Sequence, residues 1–89
     1  MFQELADEAL KEKLEWGIAA RDTGLTCWAA HTATINLDVV LDEQGTVVSA
    51  RVGPRRADGR PARSCAMRAD ATEKCLAAIA ATIAASKGG

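Results

Sequence analysis

Tyrosine is absent from this 89-residue chain, phenylalanine occurs once, and proline and tryptophan occur twice each. The apolar fraction is 48%, yet 19 of those residues are alanine. Few large side chains are left to build a core, so close helix packing, a partner, a metal or self-association is expected to add stability. No apolar run reaches the roughly 18 residues of a membrane span, and the chain opens on Phe2, Gln3 and Glu4 without a basic stretch. Neither a spanning helix nor a signal peptide is expected. Three cysteines leave one over in any intramolecular disulfide scheme. Without a secretory context they read as free thiols in a reducing compartment, and the chain as cytoplasmic. The length fits one domain, residues 1–89, and excludes two.

Charge is present but unevenly spread. Residues 1–50 carry nine acids and three bases, and residues 51–89 carry three acids and eight bases, within a net charge of -1. A chain polarised in this way pairs its own halves or offers faces of opposite sign to partners.

Phe2, Leu5, Ala6, Ala9, Leu10, Leu14, Gly17 and Ile18 recur at three- and four-residue spacing with acids and lysines between them. The spacing predicts an amphipathic helix over 1–21, stopped by Asp22-Thr23-Gly24. From Thr32 strict alternation places Ala33, Ile35, Leu37, Val39 and Leu41 on one side, and a second alternating run carries Val48, Ala50 and Val52. Between them, Asp42-Glu43-Gln44-Gly45 reads as a turn, with Asp bonding the turn backbone and Gly taking positive φ. A hairpin over 32–53 follows, with Leu41 opposite Thr46, Val39 beside Val48, Leu37 beside Ala50 and Ile35 beside Val52. Residues 54–64 read as an Arg-rich loop and 65–86 as a second helix, with a capping-box spacing at Asp70-Ala71-Thr72-Glu73. The expected fold class is α+β, helix, two-stranded antiparallel hairpin, helix (αββα). A lone hairpin is marginal, so its sheet would be covered by both helices or completed by strands of a second copy in a homodimer. The alanine pairs Ala77-Ala78, Ala80-Ala81 and Ala84-Ala85 would let another backbone approach closely.

Chemistry-bearing residues are sparse. Cys27, His31, Cys65 and Cys75 supply four soft ligands of the type zinc prefers, without the short spacing of a zinc knuckle. The simpler expectation is that the cysteines act as small hydrophobes, with no metal and no cofactor. A nucleophile would have only His31 as a base, and no third orienting group is evident. No Gly-rich phosphate loop or dinucleotide fingerprint is present, and no enzyme activity is expected. The strongest local signal is arginine: Arg51, Arg55, Arg56, Arg60, Arg63 and Arg68 fall within 18 residues, without an intervening lysine. Their forked guanidinium groups suit carboxylates and phosphates alike. The loop is therefore a candidate contact for a protein partner or, as the alternative, for nucleic acid, although no aromatic residue lies nearby to stack on bases. Trp16, off the apolar stripe and close to Glu12 and Glu15, is a candidate anchor for a partner or a cover for the helix end.

The run Thr34 to Val52 with its Asp-Glu-Gln-Gly tip, followed by a helix carrying Cys75, slightly resembles the C-terminal domains of TonB-type energy transducers, without a proline-rich spacer or a closing third strand. Helix, strands and a final alanine-rich helix also resemble a double-stranded-RNA-binding domain, but Asp70, Glu73 and Lys74 stand where that family has a lysine cluster. Neither resemblance defines the chain. Small, dipolar, catalytically empty domains are common among phage and mobile-element inhibitors such as anti-CRISPR proteins. The functional expectation is a non-enzymatic interaction module of that kind, which binds and blocks a host protein or nucleoprotein complex. A nucleic-acid-binding protein and a small zinc-stabilised domain are the alternatives.

Overall fold

The computed structural model describes residues 2–58 and 63–88. Its elements are helix α1 (Phe2–Leu10), strands β1 (Gly17–Asp22), β2 (Leu25–His31), β3 (Ile35–Leu41), β4 (Val47–Pro54) and β5 (Cys65–Ala66), and helix α2 (Ala69–Gly88). All five strands join one sheet in chain order, each antiparallel to its neighbours. The α+β class holds. The two-stranded αββα arrangement does not, because the sheet has five strands and all of them come from one chain.

The largest correction concerns residues 11–31. The first helix ends at Leu10, where Lys11 and Glu12 bond back to the carbonyls of Glu8 and Ala9 at 3.2 and 3.1 Å, a tightened three-residue closure. Leu14, Gly17 and Ile18 keep the helical period, but Asp22-Thr23-Gly24 is the tip of a hairpin and not a helix stop. Gly24 takes φ +73°, the backbone that Gly tolerates at the second central turn position. Asp22 Oδ1 accepts the Thr23 amide at 2.8 Å. The turn brings Gly17–Asp22 against Leu25–His31, and cross-strand pairing overrides local periodicity. The strand expected from Thr32 starts instead at Ile35. Thr32 is buried at the β2–β3 turn, where its Oγ1 accepts the amides of Thr34 and Ile35 at 3.2 and 3.1 Å.

The β3–β4 turn forms as its residues require. Asp42 Oδ1 accepts the amides of Gln44 and Thr46 at 3.0 and 2.8 Å, and Gly45 has φ +82°. The register differs from the expected one. Val39 lies opposite Ala50, Leu37 opposite Val52 and Ile35 opposite Pro54, a shift of two residues: one because Leu41 pairs with Val47 and not Thr46, the other because an irregularity at Val47 and Val48 adds a residue to β4. The bulge turns Val47 toward the core and leaves Val48 56% exposed, while the alternation of Ala50 and Val52 is kept. Cys65 and Ala66, expected in the second helix, pair instead with Val52 and Arg51. The helix starts at Ala69, with Thr72 bonded to the Arg68 carbonyl at 2.9 Å, so Asp70 sits in its first turn and is not its N-cap.

Both helices cover the same face of the sheet. Ala6 and Ala9 of α1 and Ala71, Cys75 and Ile79 of α2 pack with Trp28, Ala30, Ile35, Leu37, Val39, Leu41 and Val52. The i, i+4 spacing of the α2 residues places them on one stripe, while Ala6 and Ala9 let α1 sit close to β3 and β4. Ala77, Ala80, Ala81, Ala84 and Ala85 are exposed on α2. No helix among the described residues is long and apolar enough to cross a membrane.

The second strand edge is held by a close approach. A Cβ on Gly53 would strike the Arg63 carbonyl oxygen and lie 2.9 Å from Ser64 Cα, so only Gly lets the chain return to form β5 beside β4. Gly53→Ala is expected to lower stability by about 1–3 kcal/mol, the usual cost of overpacking, when measured by urea unfolding. Gly17→Ala, with nothing within 4 Å of the added methyl, is expected to stay within about 0.5 kcal/mol of the wild type.

Candidate functional site

The helices leave the opposite face of the sheet uncovered. In β3 the buried residues Ile35, Leu37, Val39 and Leu41 alternate with the partly exposed Asn36, Asp38 and Val40. Pairing extends that second face across the sheet: Ala29 and Arg51 flank Asp38, and Cys27 and Ser49 flank Val40. His31 and Gly53 flank Asn36 in the same way. The open face therefore has a small apolar patch, Cys27, Ala29 and Val40, next to a polar row.

Asp38 stands between these two zones. Partial burial pushes its carboxyl up from the usual value, and it makes no side-chain hydrogen bond or ion pair among the described residues. Arg51 lies directly opposite but gives its guanidinium to Ser64, with Nε donating to Oγ at 2.8 Å and Nη2 to the carbonyl at 2.6 Å. Asn36 accepts from Arg55 Nη1 at 3.3 Å through Oδ1, while its own Nδ2 is buried without a partner. Burial, and secondarily the charge of Asp38, push the Cys27 thiol up as well. Asp38 was legible in the sequence only as one polar member of an alternating strand. Its isolation follows from the pairing with Ala29 and from the diversion of Arg51 to Ser64.

Most of the expected arginine cluster serves the chain itself. Arg68 pairs with Asp7 of α1 at 2.9 Å and with Asp70 at 3.2 Å, joining the two helices. Arg56 faces Asp58 at 3.8 Å on the surface, a contact worth little in water. Arg63 is exposed, and Arg60 lies outside the described residues. Arg51 and Arg55 are the two that border the open face. Glu12 and Glu15 are exposed in the link between α1 and β1. Trp16 is buried at 6% exposure, so it covers the core beside the helix end, and replacing it would perturb the fold before any interface.

The four candidate zinc ligands are not brought together. Cys27 and His31 belong to the open face, whereas Cys75 is buried in the core on the opposite side and Cys65 packs against that core. Cys75 donates toward Met67 Sδ at 3.6 Å, and burial pushes its thiol up to about 11. It is therefore a protonated core thiol at neutral pH. Among the described residues no group of three His, Cys, Asp or Glu side chains is arranged to hold a metal. The His31 ring lies 3.2 Å from the Thr32 carbonyl.

On the helix side, a groove of about 600 Å³ lies between the end of α2 and the β1–β2 hairpin, with Ile18, Trp28, Leu41 and Ile83 in its lining and Arg21 and Lys87 among its polar residues. No family model, curated protein or solved structure matches the chain.

A raised carboxyl makes the folded state bind a proton more tightly than the unfolded chain, so Asp38 favours folding below pH 3.8 and loses that contribution as pH rises through its folded value. Asp38→Asn is therefore expected to raise the Tm at pH 7. The gain should fade as pH falls through the raised folded value and be gone below 3.8, where thermal melts of wild type and variant should coincide.

Proposed function

We propose that this chain is a non-enzymatic protein-interaction module whose open sheet face receives a protein partner. One observation carries the reading: Asp38 is a partly buried carboxylate with no cation against it among the described residues, set beside the apolar patch of Cys27, Ala29 and Val40. A carboxylate in that position destabilises the free protein, and a partner that places an Arg, a Lys or backbone amides against it would recover the cost. Cys27, Ala29 and Val40 supply the dry centre of such a contact, and Arg51 and Arg55 its polar rim. Action by occlusion, as in a small mobile-element inhibitor that covers a host protein or nucleoprotein complex in the cytoplasm, requires only a shaped surface and no reactive group.

The test is capture from a bacterial lysate by the tagged chain, with and without nuclease, alongside Ala29→Arg. The expected result is a stoichiometric protein retained after nuclease and reduced at least ~10-fold by Ala29→Arg, a loss of about 1.4 kcal/mol, while the variant, with an Arg now opposite Asp38, melts no lower than the wild type. Capture indifferent to Ala29→Arg would contradict the placement of the site. Loss of all captured material on nuclease treatment would favour nucleic acid as the partner.

A further inference from the structure

The helix-side groove has two walls that change character in the same direction. On the sheet wall Ile18 pairs with Trp28, and nearer the β1–β2 hairpin tip Arg21 pairs with Thr26. On the helix wall Ile83 packs against the core, and Lys87 stands one turn further out, exposed. Both walls run from apolar to cationic. The groove between them has a volume of about 600 Å³, within the roughly 300–1,000 Å³ of small-molecule sites. Trp28 and Leu41 are buried in its lining, whereas Ile18 is left 42% exposed.

The charges of the lining are not matched among themselves. Neither Arg21 nor Lys87 makes a side-chain hydrogen bond or ion pair among the described residues. Of the two acids in the lining, Asp42 gives Oδ1 to the amides of Gln44 and Thr46. Glu43 lies against Gly24, where an added Cβ would be 3.3 Å from its Oε1. Both acids therefore belong to the turns, and two free cations are left at the outer end of an apolar groove.

We propose that the groove binds a monocarboxylate with an apolar body, the chemical class of a medium-chain fatty acid. The apolar chain lies on Trp28 between Ile18 and Ile83, and the carboxylate accepts from Arg21 and Lys87. Burial of the chain supplies most of the affinity, while the cations set its direction and select against a cationic amphiphile. The groove lies across the sheet from the open face, so this inference stands apart from the function proposed above.

The test is a methyl NMR titration of the full chain with sodium decanoate and, separately, with decylammonium. Decanoate is expected to shift the Ile18 and Ile83 methyl groups saturably, with a Kd of about 1 mM or tighter, the strength of roughly five buried methylenes. The double variant Arg21→Gln/Lys87→Gln, at two exposed positions, is expected to weaken decanoate about 10-fold, as two surface charge contacts allow. Glu43→Gln is expected to bind decanoate at least as tightly as wild type. No saturable shift at these methyl groups, decylammonium bound as tightly as decanoate, a double variant that binds like wild type, or weaker binding by Glu43→Gln would each overturn the proposal.

Discussion

The structure depends on the close packing of the small residues of α1 against β3 and β4, with the Cys75–Ile79 stripe of α2 completing the same core. Leu37, Val39, Val52, Cys75 and Ile79 are the largest side chains to be fully buried, and Ala6 and Ala9 bring the α1 backbone down onto β3 and β4. A chain this poor in large apolar groups fills one layer and not two. Both helices are therefore spent on one face of the sheet, and the other face is left with residues too small or too polar to form a second core. That asymmetry places Asp38, Asn36 and the Cys27–Ala29–Val40 patch where a partner can reach them.

Electrostatics follow the same division. Arg68 bonds Asp7 across the two helices, so part of the opposite charge in the two halves of the chain is used to close the core side. Arg51 and Arg55 are engaged by Ser64 and Asn36, which organises the return of the chain to β5 and leaves Asp38 without its nearest cation. The loop that looked in sequence like a basic contact surface is to this extent structural, and the feature that most needs a partner is acidic.

Where local chemistry decides, the sequence was legible. Asp42 and Gly45 mark the β3–β4 turn because one bonds the backbone and the other adopts φ +82°, and the alternation of Ile35 to Leu41 reports a strand with one buried face. The Val47–Val48 bulge was not legible, since two adjacent valines fit either face equally well. Residues 14–18 fit a helix as readily as a loop and strand, and only pairing with Leu25–His31 decides between them. The same ambiguity hid the β1 edge, because a segment read as helix has no edge. Asp38 stayed inconspicuous for a related reason: its isolation depends on neighbours from β2 and β4, and β2 was not visible in the local pattern.

The uncovered sheet face is the central claim, and adjacent valines on opposite faces test it directly. In methyl NMR with a soluble paramagnetic probe, Val40, partly exposed on the open face, should broaden strongly together with Ala29. Val39, fully buried under the helices, should not. Equal protection of Val39 and Val40 would mean that the second face is covered in solution, and would contradict the account.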